Sequence, residues 1–211
     1  MSYDLEEQDQ LAMLREFWDR WGNLISSVLL AAAAAWAAWG GWQWWQSRQV
    51  MQAASLYAQL DARVEAGDMK DAGPIWAQLR DHYGKGVYAQ MGALRIAKAQ
   101  ALRGDVTGAE STLHWAAGNA QSDSYRAVAM LDLSALQADA KQLTEALATV
   151  QRAPAPGFDG MFAARQGDLQ VLMGQRAKAA EAYRKALALL PPDSPYRGLV
   201  ERKLESVGGQ A

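Results

Sequence analysis

Residues 174–192 read GQRAKAAEAYRKALALLPP, and the reading of this stretch decides the fold. Ala179, Tyr183 and Ala186 stand at i, i+4 and i+7, so a small, a bulky and a small side chain share one helix face. Pro191 and Pro192 cannot continue a helix and close the segment. Upstream, an alanine recurs at Ala72, Ala109, Ala146 and Ala179, at intervals of 37, 37 and 33 residues. Four positions after each comes a large apolar residue: Trp76, Leu113, Val150 and Tyr183. Seven positions after each stand Leu79, Ala116, Ala153 and Ala186. The pattern predicts four helical pairs in tight contact, and hence an all-α fold. Composition agrees: the chain is rich in Ala, Leu and Gln, with only 3 Phe among its 211 residues. Ser194-Pro195 opens a last helix, predicted over 196–207, that caps the array.

The offsets of Gly167, Gly174, Ala179, Tyr183, Ala186 and Pro191 resemble the tetratricopeptide repeat, a helix-turn-helix module. The eighth position, small in that module, is Leu60, Ala97 and Ser134 in the first three units. Pro74 predicts a second helix that starts late, near Asp71 to Pro74, or kinks. Thr107-x-x-Glu110 reads as a capping box. One such pair cannot bury its apolar face alone, so stacked pairs form a solenoid with a concave surface lined by first helices. The groove positions are Tyr57, Asp61, Leu94, Lys98, Leu131, Ala135, Ala164 and Asp168, with Tyr57, Leu94, Lys98 and Leu131 as the candidate partner contacts. Only Lys98 suits a clamp for a terminal carboxylate, so contact with apolar segments is expected instead.

Ahead of the array, from Trp21 to Ser47, runs WGNLISSVLLAAAAAWAAWGGWQWWQS without one charged side chain. About 20 helical residues cross a hydrocarbon core of roughly 30 Å. Residues 24–45 are therefore assigned as a single transmembrane helix, anchored by Leu24, Val28, Leu29, Leu30, Trp36, Trp39, Trp42 and Trp45. Trp18 and Trp21 before the span, and five tryptophans towards its exit, mark interfacial belts. Ala37, Gly40 and Gly41 leave room for another helix. The first twenty residues hold six acidic and two basic side chains, unlike the positive leader of a cleaved signal, so the anchor is read as retained. Leu11, Leu14, Trp18 and Trp21 make this leader amphipathic. Arg15 and Arg20 balance Arg48 and Arg63, so charge does not orient the span. The chain thus divides into a leader (1–23), a span (24–45) and a repeat domain (46–211).

Chemistry is poorly provided for. There is no cysteine, which removes disulfides and thiolate sites, and only His82 and His114 supply imidazole. His82 lies at a helix end and His114 beside Trp115, both ordinary structural settings. Gly84-x-Gly86 lacks the remaining glycine spacing of a phosphate cradle. Net charge is −2, from 21 basic and 23 acidic residues, which gives no footprint for nucleic acid. No enzyme activity, metal or cofactor is read from these residues.

Three features follow one order: EEQDQLAMLREFWDRWG (6–22), a span ending GWQWWQSRQ (41–49), and AASLYAQL (53–60) opening the array. Together they resemble the YfgM family, ancillary subunits of the bacterial SecYEG translocon. The resemblance implies a single-pass inner-membrane protein with a cytoplasmic N-terminus and a periplasmic repeat domain. It implies partnership with SecYEG, with a PpiD-like periplasmic chaperone and with exported client proteins. The alternative from the residues alone is a signalling or envelope-assembly adaptor whose leader binds a regulator.

Overall fold

The computed structural model describes residues 3–152 and 156–209, with side chains from Trp18 onward apart from Ile25. Among the described residues the regular structure is helical and contains no strand, as the alanine ladder predicts. The chain forms two compact units, Met1–Met51 and Gln52–Ala211.

The first unit consists of the long helix α1, Tyr3–Glu65, whose last turns belong to the second unit. Its segment Trp18–Glu65 is long and apolar enough to cross a membrane by length and composition. Leu24, Val28, Leu29, Leu30, Trp36, Trp39, Trp42 and Trp45 are all exposed among the described residues. Gly40 and Gly41 are likewise open, with nothing within 4 Å of a Cβ placed on either. The side chains of Leu11 and Leu14 lie outside the described residues.

In the second unit the end of α1 is followed by α2 (Met69–Tyr83), then α3 (Val87–Leu102) and α4 (Val106–Asn119). Next come α5 (Asp123–Asp139) and α6 (Leu143–Gln151), α7 (Asp159–Leu172) and α8 (Arg176–Leu189), and finally α9 (Arg197–Ser206). From α2 onward each helix packs on the next, and α3, α5 and α7 also touch in order. That pattern of neighbours is a solenoid of helical hairpins.

A repeated turn bends each hairpin. Gly67, Gly104, Lys141 and Gly174 occupy equivalent positions with φ of 72°, 81°, 66° and 74°. The residue after each donates its N–H five residues back: Asp68 to Arg63, Asp105 to Gln100, Gln142 to Gln137 and Gln175 to Gln170, at 2.8–2.9 Å. This left-handed residue plus six-to-one bond is the Schellman closure, which satisfies carbonyls orphaned at the helix end. The same residue then begins the next helix. The carboxylates of Asp68 and Asp105 accept from the Asp71 and Gly108 amides at 3.2 and 3.0 Å.

These caps correct two expectations. Helix α2 begins at Met69, before the late start that Pro74 suggested, because Asp68 caps it and Pro74 lies inside it. The start of α4 is capped by Asp105, and Thr107 is already inside the helix, so Thr107-x-x-Glu110 is not the capping box. A carboxylate adjacent to the first turn out-competes a hydroxyl two residues further on.

The core follows the ladder. Ala72, Ala109, Ala146 and Ala179 are fully buried, and Trp76, Leu113, Val150 and Tyr183 are buried beside them. Leu79, Ala116 and Ala186 complete it, while Ala153 lies outside the described residues. Leu60, Ala97 and Ser134 are enclosed at the eighth position. Trp76 meets Trp115 edge to face at 5.1 Å, tying the first pair to the second. Helix α9 buries Val200 and Leu204 in the cluster of α8 and closes that end.

Candidate functional site

First helices line a groove of about 720 Å³ in the second unit. Tyr57 comes from the end of α1; Met91, Leu94, Arg95 and Lys98 from α3; Tyr125, Val128, Asp132 and Asp139 from α5. On α5 the lining recurs at three- and four-residue steps, so the core face turned inward leaves this stripe on the groove side. Leu94 packs against the buried cluster below and is both wall and core.

Polar groups in the groove are few and individually placed. The Arg95 guanidinium donates to Asp61 and, at 3.4 Å, to Glu65, which fastens α3 to the end of α1. Arg95 and Asp61 are therefore committed to the scaffold. Lys98 forms no ion pair among the described residues and projects from the wall. Burial pushes the Tyr57 phenol above its usual range, helped by the negative charge of Asp61 and by Tyr125, and opposed by Arg95. Tyr57 is thus a neutral hydroxyl at physiological pH. Burial likewise raises the Asp132 carboxyl, although the positive Arg165 and Lys98 pull it down. Asp132 still keeps solvent access. The groove offers apolar surface with the phenols of Tyr57 and Tyr125 and single charges.

Tyr57, Leu94 and Lys98 are brought together here, with Ala135 beside them. Leu131 is not. It lines a separate cavity of about 160 Å³ with Met161, Ala164, Leu190, Leu199 and Val200. Asp168 borders that cavity but is occupied: the Tyr183 hydroxyl donates to it at 2.9 Å and Lys203 Nζ at 2.7 Å. Burial and this hydrogen bond drive the Tyr183 phenol far above its usual range. Met91, Tyr125, Val128 and Asp132 were not singled out from the sequence. The signal was present as the spacing from Tyr125 through Val128, Asp132 and Ala135.

His82 and His114 are both exposed, on α2 and α4. Among the described residues no three His, Asp or Glu side chains converge as metal ligands.

A family model described as a tetratricopeptide repeat-like domain matches residues 15–209. A relative in Haemophilus influenzae, named ancillary SecYEG translocon subunit, is 27% identical over 186 residues, covering 88% of this chain and 91% of its own. A relative in Neisseria gonorrhoeae with the same name is 25% identical over 210 residues, covering 98% of this chain and 100% of its own. Among solved structures, the MamA protein superposes with a TM-score of 0.53 at 17% identity, over 74% of this chain and 81% of MamA. A putative kinesin light chain of Podosopora anserina with nearly identical repeats gives 0.51 at 15% identity, over 74% of this chain and 85% of that one. Those two likenesses concern the fold. The resemblance to the YfgM family therefore holds over most of the chain. With a helical-hairpin solenoid, a groove on its first helices and a match from residue 15 to 209, the chain belongs to the tetratricopeptide repeat-like family.

Proposed function

We propose that this protein is a non-enzymatic scaffold of the bacterial inner membrane that works beside the SecYEG translocon. Its leader (1–23) is cytoplasmic, its span (24–45) crosses once, and its repeat domain (46–211) stands in the periplasm. The groove built by Tyr57, Leu94, Lys98 and Tyr125 is the observation that carries this reading. Its apolar wall fits segments of exported clients as they emerge, or a segment of a PpiD-like chaperone that receives them. The relatives' shared name supports the translocon as the place of action. Tethering by the span confines the groove to the membrane surface and raises its local concentration there, so weak groove contacts suffice. Leu131 and its separate cavity form a second contact point on the same repeat domain.

Crosslinking followed by affinity purification of the full-length chain in mild detergent tests the proposal. Recovery of SecYEG together with a periplasmic chaperone is expected. Recovery of neither, from cells exporting protein actively, would overturn it.

A further inference from the structure

We propose that α1 meets the bilayer through the face carrying Trp18, Trp21, Trp36 and Trp39, which places the hydrocarbon midplane between Val28 and Leu29. The inference rests on the reading of α1 as membrane-spanning and specifies its lipid contact. Trp18 and Trp36 are 18 residues apart, as are Trp21 and Trp39. Eighteen residues at 3.6 per turn make five whole turns, so the two pairs share one helix face, about 27 Å apart along the axis. The hydrocarbon core is roughly 30 Å thick, and indoles settle at its two edges. The spacing of the pairs thus matches the layer they bracket, and the charged Asp19 and Arg20 fall about 1–2 Å inside its edge, where their side chains reach back to the headgroups.

Three further observations agree. All four indoles are exposed among the described residues, at 60%, 48%, 77% and 66%. The midpoint of the four falls inside Val28-Leu29-Leu30, the most apolar run of the span, where burial in lipid gains most. Ser27, next to that midpoint, donates its hydroxyl to the Asn23 carbonyl at 2.7 Å, so this polar side chain is satisfied within its own helix.

The bounds 24–45 alone would put the midplane between Ala34 and Ala35, with Trp36 at the bilayer centre. That is the least suitable depth for an indole. In the tryptophan-defined register, Trp42, Trp44, Trp45 and Arg48 stand roughly 5 to 14 Å beyond the hydrocarbon edge. The Arg48 guanidinium rests over the Trp44 ring at 4.0 Å, and Trp42 and Trp45 lie 5.6 Å apart, an amphipathic collar suited to headgroups and the water beyond them.

The two registers differ by six positions, about 9 Å of depth. The sequence has no cysteine, so single-cysteine variants of the full chain at each position from 22 to 48 accept a nitroxide label without background. After reconstitution into phosphatidylcholine–phosphatidylglycerol vesicles, relative accessibility to oxygen and to a water-soluble nickel chelate reports depth. Maximum depth at 28–29, with labels at 42–48 open to nickel, is expected. A maximum at 34–35 would overturn the register while leaving the span intact. The absence of any depth gradient would overturn the spanning reading itself, and the register with it.

Discussion

Lys141 holds φ at 66° where the other three hairpin turns use glycine. The left-handed region costs a side chain roughly 1 kcal/mol through the clash of its Cβ with the backbone. Lys141→Gly is therefore expected to raise stability by about that amount, some 2–4 °C in melting temperature, followed by circular dichroism of the detergent-solubilised chain. A second repeated detail has one gap. Thr112 donates to Gln100 at 3.0 Å and Thr149 to Gln137 at 2.8 Å, but Ala182 stands at the third equivalent position. The Gln170 Oε1 there is buried without a partner. Ala182→Ser restores a donor, with a gain of about 1 kcal/mol expected in denaturant melts. Asp132 sets a pH dependence. Its folded pKa lies above the ordinary carboxylate value, so the folded state holds the proton more tightly and stability falls as pH rises from about 3.8 through the raised value. Asp132→Asn should match the native protein below pH 3.8 and be the more stable of the two at neutral pH. A constant difference across that range would contradict the assignment.

Between α7 and α8 the packing leaves no slack. A Cβ on Gly167 would lie 2.4 Å from the Tyr183 ring, and that ring is held by its hydroxyl on Asp168. Gly167→Ala is expected to cost about 1–3 kcal/mol, read as a drop of several degrees in melting temperature. This close approach was legible in the sequence, because glycine on one helix and a small-bulky-small ladder on the next leave few other packings. The helix ends were less legible. Asp105 and Thr107 both present N-cap chemistry, and the winner depends on which residue leaves the preceding Schellman turn in register. Pro74 looked disruptive, yet it removes only one amide donor from a helix held by Asp68 at its start and by Trp76 and Leu79 in the core. The groove was half legible. Tyr57, Leu94 and Lys98 lie on its wall, whereas Leu131 packs against the buried cluster that α5, α6 and α7 share and borders the cavity on the α7 side. Asp132, the neighbour of Leu131, takes the groove side instead. Repeat position alone does not resolve such a difference, since it depends on how far each pair is rotated against the next.

Across the whole chain, a span long and apolar enough for a membrane precedes a solenoid that needs stacking to bury its faces. Separation of the two should reveal what each supplies. A chain lacking residues 1–48 is expected to keep the helical fold of its repeats by circular dichroism but to lose translocon recovery in the crosslinking experiment, because weak groove contacts no longer act at high local concentration. Unchanged recovery would place the binding energy in the repeats alone. The most direct test of the partner-holding groove uses a photoactivatable residue in the full-length chain in exporting cells. Leu94, Lys98, Tyr125 and Val128 sample the groove, and the exposed Lys178 and Glu181 of α8 serve as controls. Adducts with SecYEG, a periplasmic chaperone or an emerging client are expected from the groove positions and not from the controls; equal yields from both sets, or adducts with none of these partners, would contradict it.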